Sequence, residues 1–140
     1  MIYRLQGKSL DTGGDPMRRD AIAQTLLLDY YGELLTQKQR LYCDLYYNQD
    51  YSLAEIAEET GISRQGVHES LLHAGAALQE FERILGCAAR DSRLRERAGE
   101  AASILSPLLS HPDGAVREAA QRAAELISTI QADAGADAEE

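Results

Sequence analysis

In the stretch "ARDSRLRER", residues 89 to 97, four arginines fall within eight positions. On a helix, Arg90, Arg93 and Arg97 stand at i, i+3 and i+7 and share a face, with Arg95 beside it. Each guanidinium offers a planar fork of donors to an oxyanion, so this face can hold RNA phosphates or an acidic protein surface. Asp91, Glu96 and Glu100 are interleaved, which leaves a solvated face of mixed charge as the alternative. A second group lies in "SRQGVH", residues 63 to 68. There Arg64 can grip a phosphate or a guanine, Gln65 an adenine edge and His68 a backbone oxygen. The alternative is that these are first-turn solvent residues, with Glu69 pairing Arg64. Arg18 and Arg19 form a weaker basic pair nearer the start of the chain.

Other chemistry finds no residues to carry it. His68 and His73 are five apart, about 140° around a helix, too far to clamp one metal. His111 and Asp113 fall together in "SHPDG", which reads as a turn rather than an acid–base pair. There is no phosphate-binding glycine loop, no GxSxG and no nucleophile beside a plausible base. Cys43 and Cys87 stand alone without CxxC spacing and are expected to be small core residues. The expectation is a protein that is not an enzyme and uses neither cofactor nor metal.

Charge narrows the partners. The chain has a net charge of −9, and 44% of its residues are hydrophobic and 26% charged, as in an ordinary globular domain. Residues 1 to 15 balance, residues 16 to 86 carry six positive and eleven negative side chains, and residues 87 to 140 carry six and ten. Affinity for nucleic acid comes mainly from Lys and Arg neutralising phosphates, so any such contact must use a local patch, and strong nonspecific binding of duplex DNA is not expected. The apolar runs fall far short of the roughly 20 residues that span a membrane, and no basic flank with an apolar h-region opens the chain. A cytoplasmic protein is expected.

These groups need helices to position them. Residues 1 to 15 show no period and contain Thr12-Gly13-Gly14, so they read as a flexible arm. Asp15-Pro16 supplies a cap and a first-turn proline, and Ile22, Leu26, Leu27, Tyr30, Tyr31 and Leu34 predict one amphipathic helix over roughly 16 to 35. Thr36 with Gln39 is a capping box for a second helix with Leu41, Tyr42, Leu45 and Tyr46 inward, ending near Asn48. Ser52 with Glu55 opens a short helix over 53 to 59, stopped by Thr60-Gly61. Ser63 then caps a long one through Val67, Leu71, Leu78, Phe81 and Leu85 to Gly86. Leu94, Ala98, Ala101, Leu105 and Leu108, then Val116, Ala120, Ala123, Ile127 and Ile130, form two apolar stripes around "SHPDG", a helical hairpin over 87 to 131. Residues 132 to 140 are expected to fray. No strand pattern appears, so the fold class is all-α: a helix-turn-helix domain over 16 to 86 followed by the hairpin.

The pair of helices at 53 to 59 and 63 to 85 fits a helix-turn-helix in particular. Ala57 allows close approach, Gly61 suits a left-handed turn, and Ile62 and Val67 are placed to plug the shared core. Tyr30, Tyr31, Tyr42, Tyr46, Tyr47 and Tyr51 fall at helical spacing, as core and interface residues or as platforms on which bases stack.

"LTQKQR" and "LYYNQDYSLAEIAEETGISRQGV" resemble region 4 of sigma factors. Residues 26 to 82, with "DYYGELLT", "LYY" and "SLAEIAEE" followed by "SRQ", are closer to the YlxM family, small bacterial helix-turn-helix proteins. The chain departs from a sigma factor in lacking a recognisable domain for the minus-ten element. It departs again in its reading helix, where Arg64 and Arg83 are outnumbered by Glu69, Glu80 and Glu82. The YlxM resemblance implies an accessory or regulatory protein of the signal recognition particle pathway that binds the particle's GTPase, its RNA, or both. A DNA-binding transcription regulator and a dimeric interaction module that binds no nucleic acid are the competing readings, and a homodimer is compatible with each.

Overall fold

Both capping boxes close as hydrogen-bonded pairs in the computed structural model, which describes residues 16–136. The arm over 1 to 15 and residues 137 to 140 lie outside the described residues. Among those described, every regular element is helical. The chain divides into two compact units between Leu85 and Gly86.

The first helix is not continuous. Pro16–Arg19 (α1) is a single turn, Asp20 leaves the helical region at φ −101°, and Ala21–Tyr31 (α2) runs on into a 3₁₀ turn at Gly32–Leu34. The buried stripe of α2 is Gln24, Leu28 and Tyr31, continued by Leu35. The predicted stripe is therefore rotated: Ile22 is 90% exposed, and Leu26 and Leu34 are exposed too. Three successive leucines, Leu26 to Leu28, satisfy either register. The observed one sets the Tyr31 hydroxyl 2.6 Å from the Glu82 carboxylate, to which it donates, and its ring 6.2 Å from that of Phe81.

Thr36 and Gln39 cap Gln37–Cys43 (α3), each accepting from the other's backbone N–H at 3.2 Å. Instead of continuing as an α-helix to Asn48, the chain widens into a π-type turn over Asp44–Asn48. Such turns shift the helical register by one residue. Here Tyr42, Cys43, Leu45 and Tyr46 all become buried while Leu41 is left exposed. Asp44 accepts from Asn48 Nδ2 at 2.8 Å and Gln49 Nε2 at 2.7 Å, which holds the turn closed.

Ser52 and Glu55 cap Leu53–Thr60 (α4), and Arg64–Leu85 (α5) follows after a three-residue turn. α5 is the axis of this unit. Val67, Leu71, Ala74 and Leu78 bury one stripe of it against α2, α3 and α4.

The second unit pairs Cys87–Leu105 (α6) with Gly114–Ala136 (α7), joined by a 3₁₀ turn at Ser106–Ser110. Arg95 lies beside Ala134 and Gly99 beside Gln131, so the helices are antiparallel. Their seam is made of small residues: the expected Ala98 and Ala120, and Ala134, are buried, while the expected Leu94, Leu108 and Ile130 stand exposed. Alanines let the backbones approach closely, which leaves the larger side chains on the flanks. α7 also runs five residues past the predicted end at 131, because Ala134 packs in the seam and its carbonyl accepts from Arg95 Nη1 at 2.8 Å.

Candidate nucleic-acid and partner interface

Between α4 and α5 the turn has the geometry its residues dictate. Gly61 sits at φ 75°, ψ 13°, left-handed, and its N–H donates to the Ala57 carbonyl at 3.0 Å, closing α4. Ser63 Oγ then accepts from the Gly66 N–H at 3.0 Å, capping α5. Ile56 and Val67 are fully buried where the two helices meet, whereas Ile62 remains 38% exposed. The plug predicted from the turn is thus supplied from within α4.

This turn leaves Arg64 and Gln65 exposed at the start of α5, with His68 one turn on and half-buried. Gln65 Nε2 donates to Glu69 Oε1 at 3.3 Å, so Glu69 engages Gln65 rather than Arg64. At the far end, Arg83 is held by Glu80 through two hydrogen bonds of 2.6 and 2.8 Å. That pairing lowers the Glu80 carboxyl from its ordinary value and raises the Arg83 guanidinium. Arg64 is left as the cation of α5 that faces solvent without an ion pair among the described residues.

On α6, Arg90, Arg93 and Arg97 are all exposed. Arg90 leans toward Asp91, 3.4 Å away, whose own side chain is buried. Arg93 and Arg97 make neither a hydrogen bond nor an ion pair with the described residues. Arg95 is turned to the seam, where the Ala134 carbonyl occupies it. The face therefore presents three guanidinium groups.

Arg18 is placed differently from the expectation. Its guanidinium donates to Asp50 Oδ1 at 3.0 Å and to the Tyr51 carbonyl at 3.2 Å, and lies 4.1 Å from the centroid of the Tyr46 ring. It fastens α1 to the loop before α4 and is spent inside the fold. The side chain of Arg19 lies outside the described residues. Of the six described tyrosines, Tyr31, Tyr42 and Tyr46 are buried and the other three half-buried, which makes them packing residues rather than an exposed stacking platform.

His111 and Asp113 form a turn: Asp113 N–H donates to His111 Nδ1 at 3.1 Å, and Asp113 Oδ1 accepts from Ala115 N–H at 2.8 Å, capping α7. No group of three or more metal-ligating side chains converges among the described residues. No helix there is long and apolar enough to cross a membrane. Cys43 is fully enclosed and its thiol is pushed up to about 11 by burial, while Cys87 is half-buried. One polar residue carries no mark in the sequence: Gln24 is 8% exposed, and its Oε1 has no hydrogen-bond partner among the described residues. A glutamine between Ala23 and Thr25 has no periodic signal of its own, so only the observed register of α2 brings it inward.

Comparison with known proteins gives a consistent picture. Residues 19–100 match the family described as "Putative helix-turn-helix protein, YlxM / p13 like". The match extends past the helix-turn-helix and takes in Arg90, Arg93 and Arg97. A UPF0122 protein of Symbiobacterium thermophilum is 48% identical over 75 residues, covering 54% of this chain and 70% of that protein. One from Thermoanaerobacter sp. strain X514 is 46% identical over 81 residues, or 58% and 69% of the two chains. One from Clostridium kluyveri is 54% identical over 63 residues, or 45% and 57%.

Proposed function

Because the chain belongs to the YlxM / p13-like helix-turn-helix family, we propose that it is an accessory, regulatory protein of the signal recognition particle pathway, acting in the cytoplasm without catalysis of its own. It binds the particle through its RNA, with the particle's GTPase as the neighbouring contact. The observation that carries this reading is the exposed α6 face of Arg90, Arg93 and Arg97. It is the denser of the two cationic surfaces, and the charge around it is otherwise acidic. Guanidinium groups grip phosphate oxygens in pairs of hydrogen bonds, and an acidic remainder suppresses binding along arbitrary nucleic acid. The same acidic remainder suits the basic, RNA-binding part of such a GTPase.

The test follows binding of labelled particle RNA to this protein, with and without purified GTPase, while GTP hydrolysis is recorded. Changing Arg90, Arg93 and Arg97 together to Glu should weaken binding strongly. It should also lower the slope of log affinity against log salt by roughly 2, close to 0.7 to 0.9 for each phosphate that is no longer neutralised. Substituting Arg64 and Gln65 should matter less. Binding that depends on GTPase and disappears on removing acidic residues would move the principal contact to the protein. No binding and no change in turnover would overturn the reading.

A second reading has its own support. The left-handed Gly61 turn and the exposed Arg64 and Gln65 at the start of α5 are the arrangement with which a helix-turn-helix reads base edges in the major groove. Nanomolar affinity for a defined operator at physiological salt, abolished by Arg64→Ala, would favour a transcription regulator.

A further inference from the structure

A cleft of about 310 Å³ opens on the first unit where α2 crosses α5. Leu71, Leu72 and Ala76 give it an apolar wall, Gly75 a notch, and Asp20 a carboxylate at the exposed rim. None of the lining residues is cationic. Gln24 lies against the notch, more than nine-tenths buried: a Cβ added at Gly75 would stand 3.5 Å from its Oε1. That oxygen accepts no hydrogen bond among the described residues.

Two features here work against stability. A buried acceptor without a donor costs free energy that an apolar side chain of the same shape would not, and glycine inside a long helix is disfavoured relative to alanine. Together they leave an unsatisfied acceptor buried against Gly75 in the lining of the cleft, with a carboxylate one helical turn away, since Gln24 N–H bonds to the Asp20 carbonyl at 2.9 Å. The missing partner is a hydrogen-bond donor. An aliphatic stem matches the apolar wall, and a positive head matches both the rim carboxylate and the chain's net charge of −9.

We propose that this cleft seats an arginine side chain from a basic segment of a partner protein, its stem on Leu71, Leu72 and Ala76 and its guanidinium shared between Gln24 Oε1 and Asp20. The terminal torsion of glutamine is broad, so a donor entering over Gly75 draws the oxygen outward. A nucleic acid does not fit, because its phosphates meet a carboxylate and no cation. The site belongs to the first unit and the arginine face to the second, so the proposal stands whichever partner that face engages.

The test is a titration of the full ¹⁵N-labelled chain with n-butylguanidinium, which carries the stem and head alone, and with its neutral counterpart n-butylurea. The Gln24 side-chain amide and the Gly75 N–H should shift and saturate at millimolar guanidinium, with the urea binding about tenfold more weakly. Gly75→Ala, which fills the notch, and Gln24→Leu, which removes the acceptor, should each weaken binding about tenfold or more while the thermal midpoint stays level or rises. Absence of shifts at these two positions, or unchanged binding by Gly75→Ala, overturns the site. Equal binding of the urea overturns its preference for a cation. Concentration-dependent shifts at the same positions without any probe would identify a second copy of this chain as the occupant and overturn the separate partner.

Discussion

Single residues set the helix-turn-helix, and Gly61 shows how. Open space surrounds the position where its Cβ would be, so a substitution there meets no neighbour, yet φ is 75°. The cost of Gly61→Val is therefore conformational alone, about 1 to 2 kcal/mol. Gly61→Asn should cost less, because asparagine tolerates the left-handed region. Urea unfolding of the two variants checks both the size and the order. Cys43 carries a second prediction. Burial raises its thiol from 9.0 to about 11, which means that the folded state holds the proton more tightly than the unfolded one. Its contribution is complete below the unfolded value and is lost as pH rises from about 9 to about 11. Wild-type protein should lose more stability across that window than Cys43→Ala, and iodoacetamide should modify Cys87 well before Cys43.

At the scale of elements, the sequence was legible where local chemistry decides and ambiguous where tertiary packing does. The capping boxes at Thr36/Gln39 and Ser52/Glu55 and the Ser63 cap of α5 follow from side chains that bond to nearby backbone, and the end of α4 follows from the left-handed freedom of Gly61. The register of α2 does not, because Leu26 to Leu28 serve two faces equally and the choice falls to Tyr31 and its distant partner Glu82. Nor does the π-type turn at Asp44–Asn48, where an added register shift lets Cys43 and Leu45 share the core with Tyr42 and Tyr46. In the hairpin, periodicity marked Ala98 and Ala120, which are buried, together with Leu94, Leu108 and Ile130, which stand exposed, because it does not separate the seam from its flanks. That seam predicts its own weakness: Ala98→Leu should overpack it and destabilise the second unit by about 1 to 3 kcal/mol, seen as weaker α6 amide protection in hydrogen exchange. The Arg18 clamp has no mark in the sequence, because a basic pair at a helix start looks the same whether its partners are phosphates or, as for Arg18 here, Asp50 and Tyr46. Arg18→Ala should lower stability by about 1 kcal/mol, discounted for its partial exposure, and leave nucleic-acid binding unchanged.

Over the whole molecule, charge decides what the two cationic surfaces can do. A chain at −9 with one unpaired arginine on α5 has little with which to displace counterions from duplex DNA, whereas α6 presents Arg93 and Arg97 unpaired among the described residues, with Arg90 beside Asp91, within two turns. On the proposed reading, the helix-turn-helix serves as a frame and the α6 face is the nucleic-acid contact. The most direct measurement of this claim is the affinity of the purified chain for the RNA of the signal recognition particle against duplex DNA of equal length, both at about 0.15 M salt. The account predicts that the RNA is bound about tenfold or more tightly and that changing Arg90, Arg93 and Arg97 to Glu erases the difference. Tighter binding to the DNA, or an RNA affinity that survives the triple change, would contradict it.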